Sequence, residues 1–90
     1  MTQFLVEVFT PRARAGDLAA AERSAISAAR RLSIGKGAVR YVRATYIPED
    51  EICFFVFDAP SGREAALVAR HAGLEPIRVV EAVSSEKEEQ

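Results

Sequence analysis

The stretch Glu51-Ile52-Cys53-Phe54-Phe55-Val56-Phe57-Asp58 decides how the chain is read. It is too short for an ordinary helix. Its centre is apolar at both alternating sets of positions, the pattern of a strand with little water on either side. A chain of 90 residues has helix enough to cover only one face of the sheet that holds this strand. The other face needs a different cover, and a second copy of the chain is the simplest one.

Working outward, Pro48-Glu49-Asp50-Glu51 has the length and chemistry of a hairpin turn, so residues Ala38 to Ile47 form the preceding strand. Downstream, Ser61 and Glu64 have the S-x-x-E spacing of a capping box, which opens a helix running to about Ala72. Gly73 stands where a left-handed residue ends such a helix, and Pro76 bars its continuation. Ile77 to Val83 is a last strand. Upstream, Gln3 to Thr10 is a first strand, stopped by Pro11. Arg12 to Gly16 reads as a loop, and Asp17 as the N-cap of a helix reaching Leu32. Leu18, Ala21, Ala25, Ala28, Ala29 and Leu32 share one stripe of that helix, while Arg23, Ser27, Arg30 and Arg31 lie off it. Gly35-Lys36-Gly37 breaks the pattern.

The order β-α-β-β-α-β is the split βαβ of a ferredoxin-like α+β sandwich: a four-stranded antiparallel sheet with two helices on one face. Residues 1–83 form its single domain, and residues 84–90 a polar tail expected to fray. The expected radius of gyration is about 12 Å. A domain this small buries only somewhat over ~60% of its unfolded surface, so pairing through the open sheet face would help to stabilise it.

Composition is that of an ordinary globular protein, 49% hydrophobic and 28% charged, with a net charge of −1. That balance argues against nucleic acid as a partner, because such affinity comes from clustered Lys and Arg. One cysteine cannot form an internal disulfide, and no stretch has the pattern of a signal peptide or membrane span. The cytoplasm is the expected location, with no membrane partner.

A hairpin symmetric about the turn puts Tyr46, Ala44 and Val42 on the helix side with Cys53, Phe55 and Phe57. Tyr41, Arg43, Thr45 and Ile47 then face outward opposite Asp58, Val56, Phe54 and Ile52. On the first strand Phe4, Val6 and Val8 point to the core and Leu5, Glu7 and Phe9 to the open face. On the last strand Ile77, Val79 and Glu81 are assigned to the open face. A one-residue bulge would exchange these sets. The open face therefore carries an apolar patch around Glu7, Tyr41, Arg43 and Thr45, the candidate ligand-binding residues, with Glu7 and Arg43 as the expected ion pair.

Other chemistry is sparse. His71, the one histidine, sits near a helix C-terminus, where an imidazolium cap is the ordinary role; a metal site there would need further ligands. Cys53, on the core face, reads as a small hydrophobe. Gly35-Lys36-Gly37 lacks the spacing of a phosphate loop and reads as a turn. Arg12, Arg14, Lys36 and Arg40 form at most a weak anion patch at one end of the sheet.

The segments Phe4 to Phe9 (FLVEVF), Glu51 to Ser61 (EICFFVFDAPS) and Ala69 to Val83 (ARHAGLEPIRVVEAV) resemble a family of small bacterial ferredoxin-like proteins of generally undefined function, one of which is a nickel-binding protein. The resemblance spans Gln3 to Val83. Its markers are the internal Glu7 of the first strand, Ala59-Pro60 after the aromatic strand, and Ala72 to Pro76 before the last. It implies a homodimer and a divalent metal such as nickel, with Glu7 and His71 as candidate ligands. The resulting expectation is a non-enzymatic dimer binding a small molecule or metal ion over the open sheet face. The rivals are a small cofactor-free isomerase or monooxygenase, with Glu7 or His71 as base and Arg43 at an oxyanion, and a purely structural interaction module. Recognition of RNA fits least, because the open face joins its aromatics to acids.

Overall fold

A computed structural model of the chain describes residues 2–32 and 38–83. The elements are β1 (Thr2–Phe9), a 3-10 turn (Arg12–Asp17), α1 (Leu18–Leu32), β2 (Arg40–Ile47), β3 (Ile52–Ala59), α2 (Gly62–His71) and β4 (Pro76–Ala82). All strand pairs are antiparallel, in the order β2-β3-β1-β4. This is the ferredoxin-like α+β arrangement. The expected break at Gly35-Lys36-Gly37 and the tail of residues 84–90 lie outside the described residues. No helix among the described residues is long and apolar enough to cross a membrane.

β3 and β1 occupy the centre of the sheet. Val6, Val8, Cys53, Phe55, Phe57 and Ala59 are buried on one side, against Ala25, Ala28 and Ala29 of α1 and Ala65, Val68 and Ala69 of α2. The large side chains come from the sheet and the small ones from the helices, so the helix axes can approach the sheet closely and leave the Phe rings no room to move. The molecule is only 20 Å thick along its shortest axis. That is one sheet and one helix layer, so among the described residues no helix covers the far side of the sheet.

The second helix begins and ends as its sequence dictates. The Ser61 hydroxyl accepts from the Glu64 N–H at 3.4 Å, the N-cap half of the capping box, and donates to the Glu64 carboxylate at 3.2 Å. At the other end Leu74 N–H donates to the Ala69 carbonyl and Gly73 N–H to the Arg70 carbonyl, both at 3.0 Å, with Gly73 at φ +87°. This is a Schellman cap, in which a residue with a Cβ would be strained at Gly73. The start of α1 differs from the expectation. Arg12–Asp17 is a 3-10 turn running straight into the helix, and Leu18 N–H donates to the Ala15 carbonyl. Asp17 is thus the last residue of that turn and not an N-cap.

The β2–β3 register follows the symmetric hairpin from Ile47↔Ile52 to Arg43↔Val56, then slips: Tyr41 pairs with Phe57 and Arg40 with Asp58. Val42 is the extra residue of a bulge. Tyr41, expected on the open face, therefore lies on the helix side. There its ring meets Phe57 edge-on at 5.5 Å between centroids, and its hydroxyl donates to the Glu22 carboxylate. β4 is corrected in the same way. A second slip at Ile77 sets Arg78 opposite Glu7, Val79 opposite Val6, Val80 opposite Leu5 and Glu81 opposite Phe4. Val79 thus packs on the core, while Arg78 and Val80 face outward.

The bulge at Val42 makes two neighbouring substitutions diverge. Tyr41→Ala should cost about 3 kcal/mol through lost aromatic burial, whereas Arg43→Ala should stay within about 0.5 kcal/mol. Urea unfolding midpoints of the two variants check this, and equal costs would mean that β2 runs without the bulge.

Candidate functional site

The open face is ordered by cross-strand rows. Thr45, Phe54, Glu7 and Arg78 form one row; Arg43, Val56, Leu5 and Val80 the next; Arg40, Asp58, Gln3 and Ala82 the third. Glu7 and Arg43 are in different rows with β3 between their strands, roughly 10 Å apart across the sheet. The expected Glu7–Arg43 pair is therefore not made. Glu7 instead pairs with Arg78, whose Nη2 and Nε lie 2.9 and 3.0 Å from the same carboxylate oxygen. A second pair, Arg40 to Asp58 at 2.6 Å, closes the opposite corner of the face. Thr45 and Arg43 are exposed beside half-buried Phe54 and buried Val56.

The four candidate ligand residues thus separate. Glu7, Arg43 and Thr45 remain on the open face, and Tyr41 is on the other side of the sheet. His71 is at the end of α2 in the helix layer, so Glu7 and His71 of one chain lie on opposite sides of the sheet and do not form a ligand pair. Among the described residues no three His, Cys, Asp or Glu side chains are grouped to hold a metal ion.

A more enclosed space lies elsewhere. A cleft of about 420 Å³ opens where the end of β1, the start of α1 and the α2–β4 loop meet. Val8, Leu18, Ala21, Phe55 and Leu74 make its wall, while exposed Arg14, Asp17 and Glu75 stand at its mouth. The rim is tied to the hairpin. Thr10 N–H donates to the Glu51 carbonyl at 2.7 Å, Arg12 N–H to the Glu51 carboxylate at 2.9 Å, and the Tyr46 hydroxyl to the Thr10 carbonyl at 2.8 Å. Glu51 holds these contacts from a left-handed backbone (φ 55°), an unusual conformation for a residue with a side chain. Of the expected anion patch, Arg14 lines this cleft, Arg40 is paired to Asp58, and Lys36 lies outside the described residues.

A polar group inside the helix side was also missed. Glu22 falls on the α1 stripe that includes Leu18, Ala25 and Ala29, and accepts the Tyr41 hydrogen bond. Burial first, and then the Glu22 hydrogen bond and charge, push the Tyr41 hydroxyl well above its ordinary range. Cys53 is fully buried, as its sequence position suggested; burial and then the Glu22 charge raise its thiol from 9.0 to about 11. It is a packing residue and not a nucleophile.

No protein-family model matches the chain, and no curated protein matches it. Among solved structures it is similar to SCO4226 from Streptomyces coelicolor A3(2), with a TM-score of 0.75 and 15% identity over 92% of this chain and 98% of that one. At that identity the likeness is one of fold.

The raised thiol has a pH consequence. Below about pH 9 both folded and unfolded chains keep the Cys53 proton, and stability is unaffected. Between about 9 and 11 the unfolded chain releases it first, so stability should fall, by on the order of 2 kcal/mol from this group. Urea titrations across that window should show a shallower fall in Cys53→Ala than in the wild type. An identical slope would mean that the thiol titrates alike in both states.

Proposed function

We propose that the protein is a non-enzymatic homodimer that binds a small, largely apolar ligand in the cleft between β1, α1 and the α2–β4 loop. The observation that carries this reading is the cleft itself: about 420 Å³, with an apolar wall and its charged residues confined to the mouth. That volume and lining are those of sites for small organic molecules. A ligand with an apolar body and a polar end matches them, the body against Phe55 and Leu74 and the polar end beside Arg14, Asp17 and Glu75. The open-face site expected from sequence is displaced by this cleft, because Glu7 and Arg43 do not converge. The isomerase or monooxygenase alternative is less favoured, since Glu7 and Arg43 stand in separate rows and His71 lies on the helix side of the sheet.

Pairing through the open sheet face is supported by its composition. Ile47, Ile52, Phe54, Leu5 and Val80 give it apolar area, with the Glu7–Arg78 pair set in the row of Phe54 and the Arg40–Asp58 pair at one end. Two such faces laid together would remove the apolar area from water, with each Glu7 already neutralised by its own Arg78. A metal-dependent variant of this function would need ligands from both copies, with nickel the ion to try first.

Two measurements test this reading. Saturable binding of anilinonaphthalene sulfonate is expected in the wild type and is expected to be lost in Ala21→Phe, which fills the cleft, while Phe54→Lys retains it. Light scattering should give twice the 9.8 kDa chain mass for the wild type and the single chain mass for Phe54→Lys. Dye binding that survives Ala21→Phe would remove the cleft from the proposal. A monomeric wild type would remove the dimer.

A further inference from the structure

The outward surface of the helix layer differs from the rest of the molecule in its charge. α1 and α2 together contain five arginines, Arg23, Arg30, Arg31, Arg63 and Arg70, all exposed, and only two carboxylates. Both carboxylates are engaged locally. Glu22 accepts the Tyr41 hydroxyl, and Glu64 belongs to the capping box of its own helix. Among the described residues none of the five arginines has a carboxylate partner; the ion pairs there are made by Arg40 and Arg78 on the sheet.

Within this surface two adjoining hollows share Arg23, Ser27 and Arg31; the one of about 340 Å³ adds Arg30 and the apolar Ile26, and the one facing α2 adds Ser24 and His71. The latter, a groove of about 440 Å³ between α1 and the end of α2, is lined by Ala20, Arg23, Ser24, Ser27, Arg31, His71 and Ala72. Arg23, Ser24, Ser27 and Arg31 recur at helical spacing, so two guanidinium groups flank two hydroxyls along one stripe of α1. The alanines have short side chains that leave the groove its depth. Among the described residues no carboxylate lines it. At the end of α2 the carbonyls of Val68, Ala69 and Arg70, which would otherwise repel an anion, accept N–H groups of the Schellman cap. Unpaired like charges around a concave, partly low-dielectric surface focus a positive potential into it.

We propose that this groove is a second binding site, separate from the apolar cleft, and that it takes the phosphoryl group of a small phosphorylated molecule. Planar guanidinium forks match phosphate oxygens two at a time, and serine hydroxyls supply the remaining donors at short range. His71 stands at the far wall as one further donor. The chemistry selects a compact dianion over a long polyanion. The donors converge on one stripe, and the neighbouring helix surface is interrupted by exposed Ile26 and Leu67.

The probe is pyrophosphate, with inorganic phosphate beside it, titrated into the 15N-labelled full chain at fixed chloride. Saturable shifts are expected at the amides of Ser24, Ser27, Arg31 and His71, with pyrophosphate tighter than phosphate. Arg23→Gln combined with Arg31→Gln should weaken pyrophosphate by at least about tenfold, the loss of one or two charge-assisted hydrogen bonds. Arg12→Gln combined with Arg63→Gln removes the same net charge away from the groove and should leave the affinity within about twofold, as expected for charges screened by salt. All four positions are exposed, so the variants keep the wild-type unfolding midpoint as a control on folding. Equal weakening by both pairs would overturn the proposal in favour of diffuse attraction, and so would shifts that never saturate. A single-stranded oligonucleotide that displaces pyrophosphate and extends the shifts to Arg30, Arg63 and Arg70 would also overturn it, making the surface one for nucleic acid.

Discussion

Everything in this small fold depends on the packing of Phe55 and Phe57 against alanines. The aromatic side chains of β3 fill the volume that α1 and α2 vacate by presenting Ala25, Ala28, Ala29, Ala65 and Ala69. Large against small is a directional constraint: exchanging the partners would leave either a cavity or a clash, each costing several kcal/mol. It also explains the cleft. Toward the start of α1 the helix still presents a small residue, Ala21, but on the helix side of β3 Phe55 is the last aromatic before the turn, and Cys53 beyond it is small. The same economy of volume that closes the core in the middle leaves it open at one end.

The second constraint is the phase of the outer strands. β1 and β3 alternate regularly, and their faces are legible from residues alone: Phe4, Val6 and Val8 on one side, Leu5 and Glu7 on the other. β2 and β4 each carry one extra residue, and that single insertion moved Tyr41 and Val79 into the core and brought Arg78 to Glu7. A trace of the first bulge exists in the sequence. Arg40 and Arg43 are three residues apart, and both are exposed, which a regular strand cannot achieve on one face. No such trace marks the second, because Ile77, Val79 and Val80 are apolar at both parities. The Glu22–Tyr41 contact was legible in half: an acid on an otherwise apolar helix stripe needs a donor, but only the bulge says which residue supplies it.

The cleft was the least legible feature, for a physical reason. Its wall is drawn from β1, α1, β3 and the α2–β4 loop, and no local pattern records how four element ends splay apart. The sequence signals that did hold, the capping box at Ser61 and the Gly73 cap, are those in which one backbone conformation and one side chain settle the matter within a few residues.

Net charge misleads here in an instructive way. A total of −1 suggests a surface without preference, yet the charges are sorted by element. The sheet pairs its own, Glu7 with Arg78 and Asp58 with Arg40, among apolar side chains. The hairpin turn gathers Glu49, Asp50 and Glu51, and the helix layer keeps its arginines unpaired among the described residues. Sorting of this kind would let the three proposed surfaces serve without competing. The proposed dimer uses the bare side of the sheet, the apolar cleft opens at the end of the molecule, and the phosphoryl groove lies on the outer helix layer. Association through the sheet would leave both binding sites facing solvent. It would also keep the two basic layers on the outside of the dimer, about as far apart as the fold allows, where their mutual repulsion is screened by salt.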